Sequence, residues 1–408
     1  MRALRCASVF DGEWFTTGPA TVFVDGREIA GIEPGHPPVG TGVELADLGD
    51  VTVLPGLIDT HVHLVTDSGP RALDLVEGYS DREIDAVITR SLADHLAGGV
   101  TTVRDLGDRR FVVVDRRDSQ RNGRSLVGEP NILASGPPLT VQGGHCWYLG
   151  GEVDGPLEIE NAVRDRIDRR VDAVKVMASG GMNTTGSDVM SPQFSLDELR
   201  LIVELAHAAG IPVTAHAHAL AAVEVAVAAG VDGLEHCSCL TPQGPLLPEE
   251  LLAVLAGRGI PIGAALMGAS PAAFENAPPN VLRAMAGMGL TPESWVESRR
   301  AMTARMHAAG ARFVGGSDAG IDPQMAHGLM RTGLDFLVSA GATVPQALAA
   351  GTSLAADACG LGSRKGFVRP GFDADLIAVD GLFGADLAPL GRVRQVMLDG
   401  AFVSAGSR

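Results

Sequence analysis

The sequence predicts an α/β protein: a (β/α)8 TIM barrel carrying a small β-sandwich domain formed by both termini. Three observations predict it. A unit recurs in which an apolar helix stops at glycine and a short β-rich run follows. From "VLPGLIDTH" onward about eight such strands alternate with helices over roughly 300 residues, the pattern of a parallel sheet. The far ends of these strands carry polar residues. A closed barrel gathers such ends in one ring at its C-terminal mouth, whereas an open doubly wound sheet would spread them along a line.

Each element follows in order. Residues 1–55 read as short strands and turns, "ALRCASVFDGEW" and "ATVFVDGREIAGIEP", with a hairpin signal at Asp25-Gly26. The barrel spans 56–361. Its first strand, "GLIDTHVHL", ends in His61 and His63. Residues i and i+2 of a strand share a side, so two imidazoles aim at one point. That is either half of a metal site or two ordinary polar residues at a strand end. "HLAGGVTTVRD" gives a second strand ending in Arg104-Asp105, and "NILASG" from Asn131 a third. "TVQGGHCWYLGG" is the loop after it and holds His145. The helix in "ENAVRDRIDRRVDAVKVM" leads into a strand ending near Lys175, whose alternation turns Ala173, Lys175 and Met177 to one face. Ser195-Leu196-Asp197-Glu198 opens the next helix as a capping box. The strands that follow end in His216 and His218, then His236; "IPIGAAL" from Ile260 is the seventh, and "HAAGARFVGGSD" ends in Asp318. Gly210, Gly230 and Gly310 stop the preceding helices. Residues 362–408, with "GFDADLIAVDG" and a hairpin signal at Asp399-Gly400, return to the texture of the N-terminus and complete the sandwich.

Size and charge narrow the function classes. A chain of 408 residues with 46% hydrophobic and 20% charged residues buries a sizeable core. The formal net charge of −17 argues against nucleic-acid or anionic-membrane partners, which want a basic face. No run approaches the roughly 20 apolar residues of a membrane span, and "MRALRCASVFDGEWF" lacks a leader pattern. Five cysteines, odd in number and without framework spacing, fit a reducing cytoplasm. The partner expected is a small-molecule substrate, with a homo-oligomer left open.

The strand ends together offer His61, His63, Lys175, His216, His236 and Asp318. Two nitrogen pairs, a carboxylate and a lysine at one mouth make a two-metal site. An ammonium cannot ligate a cation, but a lysine amine that has added CO2 is a carbamate whose oxygens bridge two metals.

These motifs carry a resemblance. "PGLIDTHVHL", "VKVMASGG", "TAHAHA", "LEHCS" and "GGSDAG" resemble, in this order, those of the amidohydrolase superfamily, most closely its imidazolonepropionase-like and Xaa-Pro dipeptidase (prolidase)-like branch. The resemblance implies that His61, His63 and Asp318 hold one divalent metal, that His216 and His236 hold the other, and that carboxylated Lys175 bridges them. Zinc suits imidazole and carboxylate donors. It further implies a metal-dependent hydrolase that cleaves an amide C–N bond, linear or cyclic, such as a dipeptide or N-acyl amino acid. Metal-activated hydroxide attacks, with Asp318 as general base. His145 is implied as a catalytic donor to the substrate carbonyl. Cys146, Trp147 and Tyr148 stand where many relatives carry a small residue first; Tyr148 and His218 are expected against substrate, His218 alternatively behind a ligand. Asn183, Thr184 and Ser187 are further candidates for contact, and the stretch from Met267 reads as a lid. The alternatives are a lactone or phosphotriester hydrolase of the same superfamily, or a one-metal deaminase, which usually lacks the bridging lysine.

Overall fold

The computed structural model describes residues 1–124, 128–184, 186–263, 271–275 and 279–403. The sequence expected to act as a lid lies partly outside them. Residues near the N-terminus form strands β1 (Arg2–Cys6), β2 (Ser8–Val9), β3 (Ala20–Asp25), β4 (Glu28–Pro34), β5 (Glu44–Asp47) and β6 (Val51–Pro55). One sheet has the order β4-β3-β1-β5.

Eight parallel strands follow: β7 (Leu57–Val62), β8 (Val100–Asp105), β9 (Asn131–Ala134), β10 (Val174–Met177), β11 (Val213–Ala219), β12 (Gly233–Thr241), β13 (Ile262–Gly263) and β14 (Phe313–Val314). A helix lies between each strand and the next, as at Asp81–Ala97 and Leu196–Ala208. Both of these begin in a full capping box, at Ser80 and at Ser195, so two otherwise orphaned amides of each first turn are satisfied. The strands form two sheets, β7-β8-β9 and β10-β11-β12-β13-β14. Backbone bonds join the sheets at both edges. Leu139 N donates to Lys175 O at 2.9 Å and Met177 N to Leu139 O at 2.8 Å on one side. Thr60 N donates to Gly315 O at 2.9 Å and Asp318 N to His61 O at 2.8 Å on the other. A Cβ on Gly316 would lie 3.0 Å from that of His61, so a glycine lets the last strand end approach the first.

The chain then returns to the N-terminal strands. Strands β15 (Leu376–Asp380), β16 (Val393–Leu398) and β17 (Ala401–Val403) extend a second small sheet, β2-β6-β15-β16-β17. Leu398 pairs with Ala401 across Asp399-Gly400, and both turn residues have positive φ, the two-residue hairpin that this dipeptide favours. Leu4, Val22 and Ile29 of one sheet pack with Val53, Leu376 and Met397 of the other in one buried cluster. The second sheet's remaining apolar residues, among them Leu54, Ile377 and Val396, join the large core of the eight-stranded part.

Candidate active site

The ends of β7, β10, β11 and β12 and the turn after β14 converge on one cavity. Its lining includes His61, His63, His145, Lys175, His216, His218, His236 and Asp318. All six residues expected as metal ligands are therefore brought together, with His145 and His218 beside them. Tyr148 is not among the lining residues. Its hydroxyl lies 3.6 Å from Cys146 Sγ and its ring packs against the cluster of Leu73 and Ile321, one layer behind the wall. The left-handed backbone of Cys146 and the helical turn Trp147–Leu149 send it there.

Two groups of donor atoms stand out. In His61, His63 and Asp318 the ligand atoms lie within 4.8 Å of one another, and so do those of His216, His218 and His236. Asp318 Oδ1 is 3.2 Å from Nε2 of both His61 and His63. The rings of His216 and His236 have centroids 4.7 Å apart, and those of His61 and His236 5.4 Å. Lys175 Nζ sits 3.3 Å from His61 Nε2. His236 and Asp318 both hold left-handed backbones, φ 69° and 56°, a cost of about 1–3 kcal/mol each that tends to persist at functional sites.

The chemistry of these donors fits divalent metals. Burial pushes the imidazoles down, His236 to about 4 and His216 well below the ordinary value, so they are neutral and offer lone pairs. His61 and the neighbouring histidines hold Asp318 far below the usual carboxylate range, against its burial. Buried lone pairs facing one another without a shared cation would be costly. Burial also lowers the Lys175 pKa, towards the free amine.

The outer edges of the rings are held as well. His63 Nδ1 lies 3.2 Å from Gly107 O, and His61 Nδ1 3.0 Å from Glu235 Oε2. Glu235 is itself held by Arg104 Nη2 at 3.2 Å and by the Thr214 hydroxyl at 2.9 Å. Carboxylate and carbonyl partners of this kind orient ligating imidazoles and leave Nε2 for the metal. Sequence reasoning missed Glu235. Glu235 is the register partner of His216, so ordinary alternation turns it inward; the irregular residue is His236, whose backbone is left-handed. The one available signal was a glutamate within a strand otherwise made for burial. Asp59 accepts from Ser317 N at 2.9 Å and from the Ser317 hydroxyl at 2.6 Å, which fixes the turn presenting Asp318.

His145 approaches from the loop after β9. Its ring centroid is 4.5 Å from that of His216, and Nδ1 is 2.8 Å from Thr184 Oγ1. The same oxygen accepts from Cys146 N at 3.1 Å. Burial takes the His145 pKa down to about 3. Thr184, a candidate for contact with substrate, thus also contacts His145. His218 N donates to Ser179 Oγ at 2.9 Å, and the ring's Nδ1 lies 2.8 Å from Ser238 Oγ. His95 and His327, 3.0 Å apart through Nε2 and Nδ1, form a separate buried pair.

Residues 52–403 match a family model described as the amidohydrolase family. The chain belongs to the amidohydrolase family. This amidohydrolase is 28% identical over 358 residues to the ochratoxinase of Aspergillus niger, covering 80% of this chain and 70% of that protein. It is 26% identical over 250 residues to the imidazolonepropionase of Salinispora tropica, covering 54% and 58% respectively. A solved Xaa-Pro dipeptidase with methionine bound in its active site superposes with a TM-score of 0.86 at 25% identity, over 98% of this chain and 99% of that one. The amidohydrolase is accordingly an enzyme, a hydrolase of the carbon–nitrogen class. Its family generally employs divalent metals, and the two donor groups supply places for them. Among the described residues no helix is long and apolar enough to cross a membrane.

Proposed function

We propose that this amidohydrolase is a binuclear metal hydrolase of an amide bond, linear or cyclic. The observation that carries the reading is the pair of buried donor groups meeting at one cavity, with Lys175 Nζ 3.3 Å from His61 Nε2. His61, His63 and Asp318 would hold one ion and His216 and His236 the other, with Lys175 bridging as a carbamate. The neutral Lys175 amine adds to CO2, forming the N–C bond and releasing one proton. The negative carbamate oxygens would attract the two ions, which an ammonium would repel. Zinc fits these nitrogen and oxygen donors. The eight parallel strands are read as one closed (β/α)8 barrel over 56–361, supported by the backbone bonds at both sheet edges. Residues 1–55 and 362–408 are read as a sandwich domain, supported by their shared apolar cluster.

When bound by these residues, divalent ions would supply an acidified water and a Lewis acid for the carbonyl. The protein's residues do the rest. Asp318, kept ionised, takes the proton of the attacking water and returns it to the leaving nitrogen. Thr184 Oγ1 accepts from Cys146 N–H and meets His145 Nδ1 at 2.8 Å; in the tautomer proposed, the hydroxyl hydrogen goes to Nδ1. The ring is then neutral with its hydrogen on Nε2, a donor for the carbonyl oxygen as charge develops there. His218, on the cavity wall, is read as a substrate contact. The amide class is supported by the likeness to the Xaa-Pro dipeptidase and by membership of the amidohydrolase family.

Lys175→Ala tests this reading. It should lose metal affinity and most activity, and a short carboxylic acid added to the variant should restore part of both by supplying bridging oxygens. A variant that keeps its metals and hydrolyses amides normally would leave the bridge without support.

A further inference from the structure

His145 reaches the cavity from a loop, and a loop holds a side chain in one place only where a rigid neighbour fixes it. Among the described residues no backbone oxygen accepts from the amides of His145 and Cys146. Side chains from beyond β10 accept from both instead. Thr184 Oγ1 accepts from Cys146 N at 3.1 Å, and Gln193 Oε1 accepts from His145 N at 2.6 Å. At its other end the Gln193 amide donates through Nε2 to Met177 O at 2.7 Å and to Thr140 Oγ1 at 3.1 Å. A side-chain amide has one oxygen and a nitrogen with two hydrogens. Here an N–H faces the oxygen and a carbonyl faces the nitrogen, so the partners allow a single orientation of the group.

The strand at the far end of this link is the one that carries Lys175, since Met177 is the last residue of β10. Gln193 N also donates to Ala178 O at 2.8 Å, so backbone and side chain of one residue are both tied to that strand end. The glycine before His145 makes room for the link. A Cβ on Gly144 would lie 2.6 Å from Gln193 Oε1 and 2.5 Å from Thr140 Oγ1. Gln193 does not itself line the cavity. We propose that Gln193 is a positioning residue for the hydrolysis: its side-chain amide fixes the His145 backbone to β10 and so sets where the His145 ring stands relative to Lys175 and the donor groups. Thr184 holds the ring, and Gln193 holds the chain that bears it. The proposal rests on the part given to His145 in the preceding subsection.

The test uses Gln193→Leu in the zinc-loaded enzyme, on whichever of a panel of dipeptides and N-acyl amino acids the wild type hydrolyses fastest. kcat should fall about ten- to a hundredfold, with KM within about twofold and zinc content unchanged. In a His145→Ala background the same substitution should change kcat by less than about twofold, because both changes act on one group. Gly144→Ala, whose Cβ displaces the amide while Gln193 stays, should show the same split and serves if Gln193→Leu does not fold. Crystals of the variants should show the His145 ring withdrawn from its place beside His216. Wild-type kcat in Gln193→Leu, an undiminished fall in the His145→Ala background, or loss of zinc overturns the proposal. Failure of the His145 reading shows differently: His145→Ala keeps wild-type kcat, or no compound of the panel is cleaved. The position of His145 in the variant crystals then decides, and an unmoved ring overturns the role of Gln193.

Discussion

Gly181→Ala should silence the enzyme without removing its metals. Gly181 lies under the His145 ring, and a Cβ built there would sit 2.2 Å from His145 Cε1, 2.3 Å from Nε2 and 2.4 Å from Nδ1. Ordinary contact begins near 3.4 Å, so the ring must withdraw by 3.4 − 2.2, or 1.2 Å. The backbone at Gly181 is not left-handed, so alanine meets no conformational objection there and the whole effect falls on the ring. A retreat of that size breaks the 2.8 Å contact with Thr184 and moves Nε2 away from the carbonyl it is proposed to serve. A misplacement of about 1 Å costs on the order of a hundredfold in rate, and loss of one oxyanion donor costs about 10²–10³ in kcat. Steady-state kinetics on the best amide, with metal content measured by elemental analysis of the same sample, read both quantities. kcat should fall about a hundredfold with metal content unchanged, His145→Ala should fall at least as far, and the double variant no further, since the two changes remove one group. Wild-type kcat in Gly181→Ala would refute the placement of His145 in the reaction.

Two further outcomes follow from the same geometry. Thr184→Val should lower kcat more than it raises KM, because it takes away the hydroxyl that sets the His145 tautomer, and Thr184→Ser should recover most of the loss; equal rates in all three would end that role. Glu235→Gln should weaken metal affinity by about 10–100-fold, since an orienting partner of His61 is altered, and chelator competition measures it; unchanged affinity would reduce Glu235 to a packing residue.

Much of this site was legible from strand ends. Period-two alternation put His61 with His63 and His216 with His218, and the helix-stop glycines marked where each strand began. Those rules work locally, and the cavity gathers residues that local rules can place one strand at a time. What stayed hidden depends on contacts between distant segments. Glu235 meets His61, 174 positions away, through a contact between two strands that neither strand's own pattern announces. Thr184, a candidate for contact with substrate, also meets His145 through its hydroxyl, a partner that its sequence neighbours do not announce. Tyr148 was expected in the cavity, and a left-handed Cys146 turns it behind the wall. At Tyr148 the departure follows an unusual backbone, where propensity says little about direction.

Metal stoichiometry decides whether the centre is binuclear. The enzyme should be stripped with a chelator, titrated with zinc, and its amide hydrolysis followed against metal bound per chain. Activity should rise to its plateau only at two ions per chain, and the crystal of that form should show three extra atoms on Lys175 Nζ between them. Full activity at one ion per chain, or a bare Lys175 amine away from any metal in the active form, would contradict the account.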